Sequence, residues 1–222
     1  MRWWHGHGWL RAAGPAAGVL FAASLAGFGW RLQGDAQGVH PVGLLGAQGM
    51  PDALAFNVLG FVIPGAIAAA LAWRLRDLAA PRPRLSAGLG WHLVFLSALA
   101  FATQGLLPLD PNDLDATASR LHALAWTLWW LAFVPGALFL AWSAWRELPR
   151  RRAAGFAHAT AAVLLLACAN LLATSLDAAL AQRLAYGVWF AWLAWAGWTG
   201  VREAEVNRGV ASAPGSSPPA RR

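Results

Sequence analysis

Along this chain polar and apolar residues separate into blocks rather than alternate. Six stretches carry no Asp, Glu, Lys or Arg: 12–30, 53–73, 85–109, 121–145, 153–176 and 184–201. Each is close to the ~20 residues an α-helix needs to cross the hydrocarbon of a bilayer. Only helices and closed barrels satisfy every backbone group in lipid. Barrel strands are about 10 residues long and alternate in polarity, so continuous runs of this length predict helices. The pattern gives an all-α, polytopic integral membrane protein with six transmembrane helices, near 12–30, 53–73, 86–107, 121–145, 155–176 and 184–201. One membrane domain covers 1–205. The remainder, 206–222, turns polar and ends ASAPGSSPPARR, a composition that cannot bury a core and predicts a disordered cytoplasmic tail.

Finer structure is visible inside the apolar blocks. Pro64-Gly65 and Pro135-Gly136 sit near the middles of helices two and four, where a proline removes a backbone hydrogen bond and kinks the helix. The surrounding segments, DALAFNVLGFVIPGA (52–66) and HALAWTLWWLAFVPGA (122–137), are similar with one residue inserted, and both run on to a Trp-Arg pair. In the next helix of each pair, Gln104 and Asn170 lie 12 residues after His92 and His158, and Asp110 and Asp177 close the ends. Helices two–three and four–five therefore read as one hairpin used twice. The first helix carries Gly14, Gly18, Ala22 and Ala26 at a spacing that lets another helix approach closely. Its uncharged run is long for a secretory signal, and it is expected to be retained. Two readings of the glycine-rich 39–50 segment stay open: folded back against the bundle, or a flexible loop. Trp189, Trp192, Trp195 and Trp198 spiral around half of helix six, as packing or lipid-facing bulk.

Composition agrees: 58% of residues are hydrophobic and 12% charged, about half the charged fraction of a soluble domain. A pI near 11.5 invites a nucleic-acid partner, but the basic residues follow the membrane instead. All 17 are arginine, and with a cytoplasmic N-terminus only Arg31, Arg120 and Arg183 fall outside. The positive-inside rule then puts both termini in the cytoplasm of a bacterial inner membrane, with the bilayer as first partner and no nucleic acid. Cys168 is the only cysteine, which excludes an intramolecular disulfide or a cysteine metal site. His5-Gly6-His7 is too short to be a metal site, and Trp3, Trp4 and Trp9 read as interfacial anchors.

The candidate chemistry gathers at the outer boundary. Asp52, Asp110, His122 and Asp177 fall at that level, with Asp35 and His40 in the adjoining loop. Asn57, Gln104, Thr127 and Asn170 lie five to seven residues further in, about 8–10 Å at 1.5 Å per residue. Imidazole with carboxylates can hold a divalent metal, for which His122, Asp110, Asp52 and His40 are the candidate ligands. The same groups could form an acid–base pair. Asp52, Asn57, Gln104, Asp110, His122, Asn170 and Asp177 could also line a ligand pocket. Charged helix ends equally mark where the membrane stops, and the amides can simply join helices by hydrogen bonds. No Ser-His-Asp spacing, His-Glu-x-x-His, phosphate loop or cysteine pair is present, and catalytic residues stay unassigned.

Four segments, LLGAQGMPDALAFN (44–57), VIPG (62–65), GLLPLD (105–110) and Ser119-x-x-His122, resemble a bacterial and archaeal family of six-helix membrane proteins, that of domain of unknown function 998. The resemblance covers nearly the whole chain and implies an integral membrane fold without an assigned activity. Family members often carry a histidine at the position of Asp52, a departure that weakens a shared two-histidine site. The leading expectation is a non-enzymatic multi-pass protein that binds a small ligand, a lipid headgroup or a partner at its polar outer end. Two alternatives stand beside it: a metal-dependent hydrolase of lipid-like substrates, and a structural subunit that could form homo-oligomers through the Gly14/Gly18/Ala22/Ala26 face.

Overall fold

A computed structural model describes residues 8–33, 40–79, 84–147, 151–171 and 178–211. Among them regular structure is helical throughout, with no strand. The long helices are α1 (Gly8–Gln33), α2 (Ala53–Leu78), α3 (Leu85–Leu106), α4 (Thr117–Trp145), α5 (Arg152–Leu166) and α6 (Ala178–Ala211). A wider turn, Ala167–Leu171, continues α5. Five of these helices, all but α6, are long and apolar enough to cross a membrane. The uncharged part of α6, 184–201, holds four tryptophans and three glycines, which lower its hydropathy.

The helices run beyond the uncharged stretches at several ends: α1 begins before residue 12, α2 passes 73 to reach Leu78, and α6 extends over 178–211 rather than 184–201. Arginine and glutamate are good helix formers, so a charge marks where the hydrocarbon ends and not where the helix does. The end of α6 thus includes residues that composition assigned to the tail, while 212–222 lie outside the described residues.

Each helix packs on its neighbour in sequence, and α6 closes the ring against α1 while also touching α2. The interior is aromatic. Phe101 stacks on Trp189 with centroids 4.8 Å apart, and Tyr186 lies 4.9 Å from Trp129 and 5.1 Å from Phe21. Such pairs add about 0.5–1.5 kcal/mol each beyond their burial. Several leucines, Leu10, Leu71 and Leu193 among them, share that core, but many point the other way: Leu54, Leu96, Leu124 and Leu131 are among the exposed large side chains, as expected where the surroundings are lipid and not water. Trp189 and Trp192 are buried packing residues, whereas Trp198 is exposed beneath the Arg11 guanidinium, 5.2 Å from its ring.

Two sequence features take a specific form. The small-residue face of α1 meets α6 within the same chain: a Cβ on Gly14 would lie 2.6 Å from Ala194 Cα, and one on Gly18 would lie 3.2 Å from Phe190 Cβ. The face invoked for an oligomer is therefore partly occupied by the protein's own helix. The two Pro-Gly pairs also differ. In α2 a π-helical segment, Asn57–Val62, directly precedes Pro64. That wider turn relieves the contact between the proline ring and the carbonyl four residues back. Pro135 sits inside α-helix. A π turn shifts helical phase by about one residue, or 100°, and the two glycines pack differently. Gly65 faces Ala102 of α3, its own hairpin partner, while Gly136 faces Gly90 and Val94 of α3, in the preceding hairpin.

Residues 40–50 fold back onto the bundle. Val42–Gly46 form a short 3-10 helix, with Val42 and Ala47 fully buried. Together with the 107–116 connection this segment roofs one end of the bundle, here called the roof end.

Candidate functional site

The polar residues singled out in the sequence are dispersed, and most of them hold the roof. Asn57, 5% exposed, donates from Nδ2 to Gly46 O at 2.8 Å. Buried His122 bonds through Nδ1 to Leu107 O at 2.9 Å, and its ring lies edge-on to Phe61. Both residues press on glycines of the roof. A Cβ on Gly46 would lie 1.8 Å from Asn57 Oδ1, and one on Gly43 would lie 2.7 Å from His122 Nε2. A side chain at either place would push its partner aside. Val42 N–H donates to Gln182 Oε1 of α6 at 2.8 Å, and Gln48 N–H donates to Leu109 O at 2.9 Å. The roof is thus tied to α2, α6 and the 107–116 connection.

The other candidates lie apart. Gln104 is fully buried and accepts from the Tyr186 hydroxyl at 2.6 Å, joining α3 to α6. Asp110 caps its own turn: Oδ1 accepts from Asn112 N–H at 2.9 Å, and Ser119 Oγ donates to the carbonyls of Asp110 and Asp113. Asp115 N–H closes a second such turn on Asp113 Oδ1. Asp52 has left-handed backbone, φ 58°, a conformation Asp tolerates, and pairs with Arg31 at 3.1 Å on the exposed surface. Thr127 bonds to Ala123 O, and exposed Asn170 to Leu166 O, each within its own helix. Asp177 and Asp35, like His5 and His7, lie outside the described residues. His40 is exposed at the rim. Among the described residues no three His, Cys, Asp or Glu side chains come together as a metal group. His122, with one nitrogen on a backbone carbonyl and the other against Gly43, does not converge with Asp110 and Asp52.

Beside this frame lies a cleft of about 620 Å³ that the sequence reading missed. Its walls are α1 (Gly18, Phe21, Ala22, Leu25, Ala26, Gly29) and α6 (Arg183, Gly187, Phe190). Its cover is His40, Pro41, Leu44, Leu45 and Met50 of the roof, with Pro111. The small residues of α1 thus do two jobs. Gly14 and Gly18 admit α6, while Ala22, Ala26 and Gly29 leave the space where the helices part. Gly187 across the gap was the missing signal, because a small residue on both facing helices makes room rather than contact. Arg183 is part of the lining, with Nη1 donating to Ala179 O of its own helix at 2.9 Å.

No protein-family model, curated protein or solved structure matches this chain.

The far end of the bundle is built differently. Arg151 pairs with Glu147 and, at 3.1 Å, with Glu203, tying α5 to the ends of α4 and α6. Arg11 pairs with Glu205, tying α1 to α6. The space enclosed there is about 100 Å³, lined by Trp91, Ser143, Glu147, Arg151, His158 and Glu203 among others. His158 is occupied within the core, accepting from Trp192 Nε1 at 3.2 Å.

Proposed function

We propose that this is a six-span inner-membrane protein, with both termini in the cytoplasm and the roof end outward, that binds a small ligand in the cleft between α1 and α6. The orientation rests on the arginine distribution along the chain. The single observation that carries the binding reading is the cleft itself. Its volume lies within the roughly 300–1,000 Å³ of small-molecule sites, and apolar walls with a few polar groups at one edge are their usual lining. Asn57 and His122 enter as positioning residues for the roof, and Gln104 as a tie between helices. Membership of the family of domain of unknown function 998 is proposed on the four quoted segments alone. A C-terminal reporter that is active only when exported should stay silent, and activity would reverse the orientation.

Ligand binding is tested by native mass spectrometry of the detergent-purified full chain, wild type beside Ala22→Phe. Ala22 is exposed to the cleft, so a phenyl ring there fills the space without entering the core. The expected result is a discrete small-molecule adduct on the wild type and none on the variant, with unchanged thermal unfolding of the empty protein. A wild type that carries no adduct, or an adduct that survives Ala22→Phe, counts against the cleft.

A further inference from the structure

We infer that the cleft takes one hydrocarbon chain of a bilayer lipid, entering sideways between α1 and α6 and lying parallel to them, with no selection by headgroup charge. The inference rests on the cleft reading and adds the chemical class. Its open side comes first. Ala22, Ala26 and Gly187 line the cleft and are themselves exposed. On α1, Val19, Ala22, Ala26 and Trp30 fall within about 80° of one another at 100° per residue. On α6, Leu180, Leu184 and Gly187 fall within about 60°. Val19, Trp30, Leu180 and Leu184 are exposed large apolar side chains, which in a bilayer face hydrocarbon. The opening is thus a gap in the lipid-facing surface, framed by apolar residues on both helices.

The other sides are walled. At the floor α1 and α6 touch, where a Cβ on Gly18 would lie 3.2 Å from Phe190 Cβ. Pro41, Leu44 and Leu45 of the roof cover the opposite end. Behind the slot Phe21 packs on Phe101, Tyr186 and Phe190, so the back wall is the aromatic core. Length then selects the occupant. The lining of α1 runs from Gly18 to Gly29, 11 residues or about 16 Å at 1.5 Å rise. One leaflet of the hydrocarbon is about 15 Å, half of the ~30 Å core. A lipid chain lying along its neighbours in the bilayer has that length and that direction. Water is a poor occupant, since each molecule needs two to four polar partners and the middle of the slot is Phe21, Ala22, Leu25, Ala26, Gly187 and Phe190. A chain gains little by transfer, because lipid tails are as apolar as leucine; it gains close contact with walls on three sides. Arg183 is engaged within the protein, with Nη1 donating to Ala179 O, and takes no part in the recognition.

The test uses the full chain reconstituted in vesicles that carry a trace of phospholipid with a photoactivatable diazirine midway along one acyl chain. The probe is a phosphatidylcholine in one sample and a phosphatidylglycerol in the other, and peptide mass spectrometry maps the cross-links. In the wild type, label is expected on Ala22, Leu25 or Phe190 as well as on lipid-facing leucines such as Leu96 and Leu131, alike for both headgroups. Ala22→Phe should lose the cleft labels and keep those on Leu96 and Leu131, which report that the variant is folded and inserted. Wild-type label confined to the outer leucines, or cleft label that survives Ala22→Phe, overturns the inference. Cleft label from only one headgroup overturns its charge independence. The adduct seen by native mass spectrometry separates the two failures. An adduct lost in Ala22→Phe, with no lipid label in the wild-type cleft, means that the cleft holds something other than a lipid chain. Neither adduct nor label overturns both readings. Should Ala22→Phe not fold, Gly187→Leu fills the same space from α6, where a Cβ meets nothing within 4 Å.

Discussion

The two ends of this bundle differ in what ties their connecting segments down. At the far end, charged side chains on helix termini close the structure: Arg151 spans Glu147 and Glu203, and Arg11 meets Glu205. At the roof end exposed ion pairs are present too, Arg31–Asp52 and Arg120–Asp115, but the irregular segments themselves are held by side chains that donate to backbone carbonyls: Asn57 to Gly46 and His122 to Leu107. The cavity at the far end is about 100 Å³ and that beside the roof about 620 Å³. Charges suit exposed termini because water supports them when they part. A covered cleft needs uncharged ties, since a charge buried beside it would have to stay paired at all times.

That contrast can be broken at graded strength. Gly46→Ala should have the largest effect. The added carbon would lie 1.8 Å from Asn57 Oδ1, so either the roof lifts or the Asn57 amide turns away, and in both cases the bond to Gly46 O is lost. A destabilisation of about 3 kcal/mol or more, read by thermal unfolding in detergent, should accompany loss of any cleft adduct. Asn57→Ala comes next, at about 1–3 kcal/mol, because it leaves the Gly46 carbonyl buried without its donor. The double variant should cost clearly less than the sum, since the smaller side chain vacates the space the new methyl needs. Tyr186→Phe removes the bond to Gln104 between α6 and α3 and is expected to cost about 0.6 kcal/mol and at most about 1.7, the mean and maximum for interhelical hydrogen bonds in membranes. Arg151→Met should be mildest, within about 1 kcal/mol, because its partners are partly exposed. Raising ionic strength should erase the Arg151 effect and leave the Asn57 effect unchanged. Equal salt sensitivity at the two ends would end the comparison.

The helical frame was legible because lipid imposes one rule on every span, and uncharged runs such as 121–145 obey it visibly. Helix limits were less so, since Arg76, Asp77 and Arg202 continue their helices past the hydrocarbon. The site was legible only as a list of polar residues. Asp110 drew attention as a possible ligand, yet Asp-Pro-Asn-Asp is also turn vocabulary, and the turn reading describes its bond to Asn112. Asn57 and His122 were rightly placed near one end, but the sequence does not say that each faces a glycine 11 or 79 positions away. The cleft was hidden for a plainer reason. It consists of what Ala22, Ala26, Gly29 and Gly187 lack, and a missing side chain declares itself only once the facing helix is known. The two Pro-Gly pairs have different neighbours, Gly65 facing Ala102 and Gly136 facing Gly90 and Val94, and nothing in the motif itself announces that.

The pairings of Gly43 with His122 and of Gly46 with Asn57 make the roof a size lock, with consequences for descent. Each glycine is obligatory only while its large partner remains. Homologous chains should therefore change these positions two at a time, a bulkier residue at 46 appearing where 57 has shrunk, and likewise 43 with 122. Such compensating pairs, sought across lineages, would trace how the roof was fitted over the cleft without a ligand ever being seen.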